Sequence, residues 1–249
     1  MSRIHQKNVS LDYSRTRNFF DARVERYSED YPYLAATYQD TRPELGMERD
    51  RHEKKLITPL LELDKKSRIL DIGCGVGRWL DALAEIVGVY VGLDFSAPFL
   101  EIAKKRSVTF AHQCKISFAQ CAVQELFSSK NDIIYKKYSH FICCGVLTYI
   151  NNDDLYDIIS NIPSIMDDHS KIYLRESVGV NYKMTLKDFY SEELKAEYNA
   201  IYRTSAEYRE LFQPLLKKGY QCVRDENLFD SALNNRTETT QHFFLFARS

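Results

Sequence analysis

The chain has no cysteine pair at C-x-x-C spacing, no Cys/His ligand pattern, no net charge to speak of, and no apolar run near the roughly 20 residues that span a bilayer. Each deficit excludes something. Its six cysteines sit mostly inside apolar runs, so they read as small buried thiols in a reducing compartment, with no metal site expected. Basic and acidic residues nearly cancel, 34 against 35, so no global field draws the chain to nucleic acid or to an anionic membrane. The N-terminal "MSRIHQKNVSLDYSRTRNFF" scatters charges where a secretory signal needs an apolar stretch, and a cytoplasmic protein is expected. There are only six histidines, so the commonest general base is scarce; His140 falls at the start of its strand, and His242 is the one other placed candidate. No repeat or low-complexity tract is present.

What is present is a core. Hydrophobic residues make up 44% of the 249, enough for one sizeable domain. From residue 68 onward, short apolar runs alternate with helical patterns, as in a parallel sheet covered on both faces. Strands are predicted at 68–72, 89–93, 116–120, 140–146 and 171–175, with helices near 77–87, 97–106 and 153–166. "YQCVRDENLF" (220–229) and "QHFFLFARS" (241–249) read as two strands whose connection is too short for a covering helix, hence an antiparallel pair. Residues 1–66 are expected to form a polar, helical lid and substrate-entry segment, with an amphipathic helix over 49–63, and 67–249 the core. Within the core, 177–213 is a tyrosine-rich insertion expected to be helical, ending in a helix capped by Ser205, interrupted at Pro214 and stopped at Gly219.

The turn after the first core strand narrows the chemistry. In "RILDIGCGVGRWLDAL" (68–83), Gly73, Gly75 and Gly77 give G-x-G-x-G and residue 78 is arginine, which departs from the dinucleotide fingerprint G-x-G-x-x-G. No Lys-Ser or Lys-Thr follows, so it is not a P-loop either. Asp71, at the strand end, disfavours a pyrophosphate there but suits a cation or a protonated amine. The next strand ends in "VGLDFS", where Asp94 can accept two ribose hydroxyls and Phe95 offers a face for a base. A ligand with an adenosine half and a cationic amino half fits, and S-adenosyl-L-methionine is such a molecule.

With "ILDIGCGVGRW", "VGLDFS" and the terminal strand pair in hand, the chain resembles the class I S-adenosylmethionine-dependent methyltransferases, over roughly 66–175 and, in outline, 215–249. The resemblance implies an α/β Rossmann-like fold: a mostly parallel seven-stranded sheet with a C-terminal antiparallel strand and helices on both faces. It also implies cofactor-binding roles for Asp71, Gly73, Gly75, Gly77 and Asp94, and Cys74, inside the loop, and Phe95, from its place after Asp94, complete the expected cofactor site. Many members carry an acidic residue after the third strand; here "AQCAVQEL" (119–126) has none at that slot, so Val123 and Gln124 are the expected adenine contacts. Cys74 reads as a small residue in a tight loop.

The acceptor is less legible. "CCGVLTYINNDD" (143–154) places Tyr149 at the functional end of the fourth strand, as a base or a positioning hydroxyl, or else as packing. "KIYLRESVGVNY" (171–182) places Arg175 and Glu176 at the crevice edge, Glu176 as the second catalytic candidate, with a mutual salt bridge as the alternative. Arg203 and Arg236 are candidates for an anionic acceptor, and Tyr182 and Tyr202 for its ring. The whole pattern is similar, diffusely, to bacterial small-molecule or polysaccharide-modifying O-methyltransferases. That implies methylation of an oxygen on a sugar, a surface-glycan precursor or its phosphoryl decoration. An amine or amino sugar is the alternative, and a non-catalytic cofactor-binding subunit the third reading. No nucleic-acid or membrane partner is expected, and the assembly is a monomer or homodimer.

Overall fold

The computed structural model describes residues 2–37, 41–128 and 136–249. Among these residues ten strands form two sheets: β1 (Ser2–His5), β2 (Arg68–Ile72), β3 (Val89–Asp94), β4 (Lys115–Gln120), β5 (Tyr138–Cys144), β6 (Met166–Gly179), β7 (Met184–Ser191), β8 (Ala196–Tyr202), β9 (Gln221–Asn227) and β10 (Thr239–Arg248). The helices are α1 (Tyr13–Arg23), α2 (Leu34–Thr37), α3 (Pro43–Leu61), α4 (Leu80–Leu83), α5 (Ala97–Ser107), α6 (Asn152–Asn161), α7 (Ser205–Leu211) and α8 (Gln213–Lys217). Among the described residues no helix is long and apolar enough to cross a membrane.

The large sheet has the order β4-β3-β2-β5-β6-β10-β9. β2 through β6 pair in parallel, and β10 enters antiparallel between β6 and β9. The β9–β10 connection carries no crossover helix, so the chain can only return antiparallel. In β2, Ile69 to Ile72 are all buried, because helices cover both faces and leave no solvated side to alternate with. Leu70, Ile72, Phe141, Phe244 and Phe246 face one half of the core with α6, α7 and α8. Ile69, Tyr90, Ile142, Phe243 and Leu245 face the other, against Ile57, Leu61 and Trp79. A one-residue slip of β10 would exchange these two sets of side chains, which pins its register.

Four expectations fail here. The insertion at 177–213 is not helical: β6 runs on to Gly179, and β7 and β8 form a hairpin that pairs with β1 in a second sheet, β1-β7-β8. Met184, Leu186, Tyr198 and Ala200 bury at two-residue spacing, and aromatic residues suit a pleated, half-buried surface, so the period of 2 outweighs the helix-forming lysines and glutamates. Only its last part is helical, and the cap is Thr204 rather than Ser205: Thr204 Oγ1 accepts from the Glu207 N–H at 3.2 Å while Glu207 Oε2 accepts from the Thr204 N–H at 2.9 Å. The helix expected over 77–87 shrinks to α4, because the left-handed Gly77 and a helical start at Leu80 leave one turn before the chain tightens toward β3. The entry segment is likewise not helical throughout, since β1 belongs to the small sheet, whereas α3 starts earlier than expected with Pro43 in its first turn.

Candidate active site

The crevice begins where β2 ends. Gly73 has φ +65°, and a Cβ there would stand 2.3 Å from Val146 Cγ2, so neither the backbone nor the space admits a side chain. The turn is fastened to β3: the Cys74 N–H donates to Leu93 O and the Gly75 N–H to Asp94 Oδ2, each at 2.9 Å. Cys74 is buried, its thiol pushed well above its ordinary pKa by that burial, and it acts through backbone and packing.

Two cavities flank the turn and share Gly73, Gly75, Gly145 and Tyr149 in their walls. The smaller, about 110 Å³, is lined by Asp94, Phe95, Val123 and Gln124, with Tyr13 and Phe20 from α1 over it. All four expected residues of the adenosine half therefore meet in one place. Asp94 accepts the Ser96 N–H at 2.9 Å as well as that of Gly75, and burial lifts its carboxyl to about 6. Phe20 packs edge-on against both Phe95 and Tyr149, and Ser96 Oγ donates to Asp21 Oδ1 at 2.6 Å, which ties α1 down over the site.

The larger cavity, about 480 Å³, is lined by Asp71, Arg78, Arg175 and the tyrosines of the small sheet. Burial raises the Asp71 carboxyl to about 7, although Tyr90 O–H donates to it and Arg78 lies near. Among the described residues, the buried Nη2 of Arg78 has no hydrogen-bond partner. A carboxyl short of a cation, a guanidinium nitrogen short of an acceptor, and an acidic strand end beside an aromatic slot fit the ammonium, carboxylate and ribose of S-adenosylmethionine.

The ends of β5 and β6 redistribute the expected acceptor residues. Tyr149 stands at the junction of the two cavities, its hydroxyl 2.7 Å from that of Tyr198, which also accepts from Tyr202 O–H at 3.3 Å. Glu176 does not reach the crevice: it is fully buried and accepts the N–H groups of Val146, Leu147 and Thr148 at 2.9 to 3.1 Å. Arg203 is also buried and donates to Leu147 O, Ile150 O and Asn152 Oδ1, which removes it from any acceptor. The two hold, from opposite sides, the turn that carries Tyr149. Tyr182 packs its ring against His5 outside the cavity, whereas Tyr202 and Arg236 line it, Arg236 paired with Glu193. His140 bonds Leu61 O and His242 bonds Asn227 and Asp225, so both are occupied away from the site.

A buried charge cluster on α3 escaped sequence reasoning. Glu53 accepts from Tyr173 O–H at 2.8 Å, Arg175 Nε at 3.2 Å and Arg78 Nη1 at 2.8 Å. Burial alone would raise its carboxyl, but the two arginines and these hydrogen bonds outweigh that and hold it at about 2. Asp50 takes Arg78 Nη1 at 2.7 Å and Lys54 at 2.8 Å. The signal was available: Asp50 and Glu53 fall in the same helical stripe as Gly46, Ile57 and Leu61, where a charge must be paired.

The strand order, the glycine turn and the acidic ends of β2 and β3 define the class: the core has the class I S-adenosylmethionine-dependent methyltransferase fold. Residues 69–168 match the family model described as a methyltransferase domain. The chain is similar to the demethylmenaquinone methyltransferase of Lactiplantibacillus plantarum, 33% identical over 76 residues, which are 29% of this chain and 32% of that one. It is also similar to the ubiquinone biosynthesis O-methyltransferase of Haemophilus ducreyi, 24% identical over 53% of this chain and 52% of that one. The chain spans about a third of the length of the first curated relatives it matches. Among solved structures, the magnesium protoporphyrin IX methyltransferase of Synechocystis PCC 6803 with bound S-adenosylmethionine shares the fold at TM-score 0.63 and 17% identity, over 98% of this chain and 100% of that one.

Proposed function

We propose that the protein transfers a methyl group from S-adenosylmethionine to an oxygen of a small polar acceptor: a sugar, a surface-glycan precursor or its phosphoryl decoration. The observation that carries this reading is the pair of cavities joined at Gly73, Gly75 and Tyr149, one shaped by Asp94 and Phe95 and the other large enough for a second molecule. When bound, the cofactor supplies an electrophilic methyl group on its sulfonium. Asp94 takes the ribose, Asp71 and Arg78 face the amino-acid end, and Phe95, Val123 and Gln124 enclose the base. Tyr149 positions the acceptor oxygen for in-line displacement, and orientation of this kind supplies much of the rate. A hydroxyl acceptor loses its proton as the new O–C bond forms, and the Tyr149–Tyr198–Tyr202 hydroxyls offer it a path. Arg175, Tyr202 and Arg236 contact the acceptor in this reading; Glu176 and Arg203 position the turn. Guanidinium groups on the wall favour a polar or anionic acceptor over a cationic amine, which ranks oxygen before nitrogen. A cytoplasmic monomer or homodimer completes the reading.

Methyl-labelled S-adenosylmethionine with a panel of sugars, sugar phosphates, carboxylic acids and amines tests it. Formation of S-adenosylhomocysteine with an O–CH₃ signal in the product supports the proposal, and an N–CH₃ signal moves it to the amine reading. Cofactor binding without turnover on any acceptor leaves a cofactor-binding subunit. Asp94→Ala should abolish cofactor binding in a chain that still folds; unchanged affinity would remove Asp94 from the ribose site.

A further inference from the structure

We infer that Arg49, Arg175 and Arg236, which reach one wall of the larger cavity from α3, β6 and the loop before β10, form an oxyanion site that takes a phosphate or carboxylate group of the acceptor. The inference rests on the methyltransferase reading and narrows its substrate class. Three segments far apart in sequence converge here, so the cluster is a product of the fold and not of a basic run.

The hydrogen bonds of the three arginines support the assignment. Arg49 donates through Nε and Nη2 to Leu233 O, and through Nη2 to Asn235 Oδ1 at 2.9 Å, all neutral oxygens. Arg175 gives Nε to Glu53 and Nη1 to Gln241 Oε1 at 3.0 Å, and Arg236 gives Nη2 to Glu193. Among the described residues this leaves Arg49 Nη1, Arg175 Nη2, and Arg236 Nε and Nη1 without a protein acceptor. Guanidinium forks with spare donors on one wall are the geometry that binds phosphate or carboxylate.

The charges around the cavity agree. Of the five carboxyl groups lining the cavity four are committed, Glu53 to Arg78 and Arg175, Asp50 to Arg78 and Lys54, Glu193 to Arg236, and Glu238 to Arg3 at 2.9 Å, and the fifth, Asp71, is the one placed against the cofactor's ammonium. Arg49 has no carboxylate in ion-pair range among the described residues. Burial, and after it the positive charges of Arg236 and Arg175, push its pKa down to about 10, so it stays protonated but short of a counter-charge. An oxyanion between the three supplies one. Arg175 Nη1 lies 3.3 Å from where a Cβ on Gly145 would stand, and Gly145 borders both cavities, so an anion held there lies beside the site of methyl transfer.

The test is calorimetric titration of inorganic phosphate, and separately of acetate, into protein saturated with S-adenosylhomocysteine, at constant ionic strength set with chloride. One or both anions should saturate, and the stronger identifies the acceptor's group as phosphate or carboxylate. Arg49→Gln should weaken that binding by about tenfold or more, as loss of a charged hydrogen-bond donor does. Arg236→Gln should weaken it severalfold; because Arg236 is exposed, this variant tests the site even if Arg49→Gln melts early. Both variants should bind S-adenosylhomocysteine within about twofold of the parent. Failure of both anions to saturate, or affinities unmoved in both variants, overturns the oxyanion site while leaving the methyltransferase reading intact. Failure of the parent to bind S-adenosylhomocysteine would instead defeat the reading on which the site rests.

Discussion

Affinity for S-adenosylhomocysteine should depend on pH through Asp71, and the structure sets both sign and size. Burial holds this carboxyl at about 7 in the empty protein, so near neutrality it is about half protonated. The ligand's ammonium, placed against it, favours the charged form, so binding releases a proton wherever Asp71 was protonated. If only the carboxylate binds well, the apparent dissociation constant scales as one plus 10 raised to (7 − pH), which makes affinity roughly tenfold weaker at pH 6 than at pH 8. Asp94, lifted to about 6, titrates lower and steepens the fall below that point. Calorimetry in two buffers of different ionisation enthalpy should find about one to one and a half protons released at pH 6, from Asp71 and Asp94 together, and almost none at pH 8. Asp71→Asn should bind more weakly at pH 8 and lose most of the dependence above pH 6. Affinity that is flat between pH 6 and 8, or a pH dependence that is undiminished in Asp71→Asn, would refute the placement of the amino end at Asp71.

The same carboxyls govern stability without ligand. Asp71 and Glu176, each raised to about 7, and Asp94, raised to about 6, stabilise the fold fully below the ordinary carboxylate range and lose that contribution as pH climbs through their folded values. Scanning calorimetry should show the apo melting temperature falling from pH 5 to pH 8, less steeply with S-adenosylhomocysteine bound; Glu53, held at about 2, acts only at more acid pH. Gly73→Ala should cost about 1–2 kcal/mol for the left-handed backbone, with a further penalty from displacing Val146. Gly75→Ala, whose Cβ would stand 3.8 Å from Ala36, should cost only the backbone part, so equal melting temperatures for the two variants would contradict the packing described. Glu176→Ala strands three buried N–H groups at about 1–3 kcal/mol each before water relieves them, and should destabilise by about 3 kcal/mol or more in urea unfolding. A Glu176→Ala protein as stable as the parent would remove its anchoring role.

Acidic helix positions and strand ends behaved differently under sequence reasoning. Asp71 and Asp94 were legible because a strand end followed by a turn is a local event, and the residue types of the turn restrict what can approach it. Glu176 was legible as a charge that needs a reason, but not which reason: the three N–H groups that satisfy it belong to Val146, Leu147 and Thr148, roughly thirty positions earlier in the chain. Arg49 carried no local mark, since an arginine on an amphipathic helix is ordinary until the fold brings Arg175 and Arg236 to it.

The glycine turn, the two aspartates and the alternation of apolar runs are short-range features, and from them the sequence alone determined the parallel core, the closing antiparallel strand and the kind of cofactor. Only the tertiary structure decided that residues 184–202 form a hairpin over the crevice. The same residues satisfy a helical and an alternating pattern, and burial against Tyr149, Phe19 and Phe20 selects the strand. Tertiary structure also decided which arginines are struts and which face the cavity, because a guanidinium's role is set by the acceptors in its reach, and those come from remote segments of the chain.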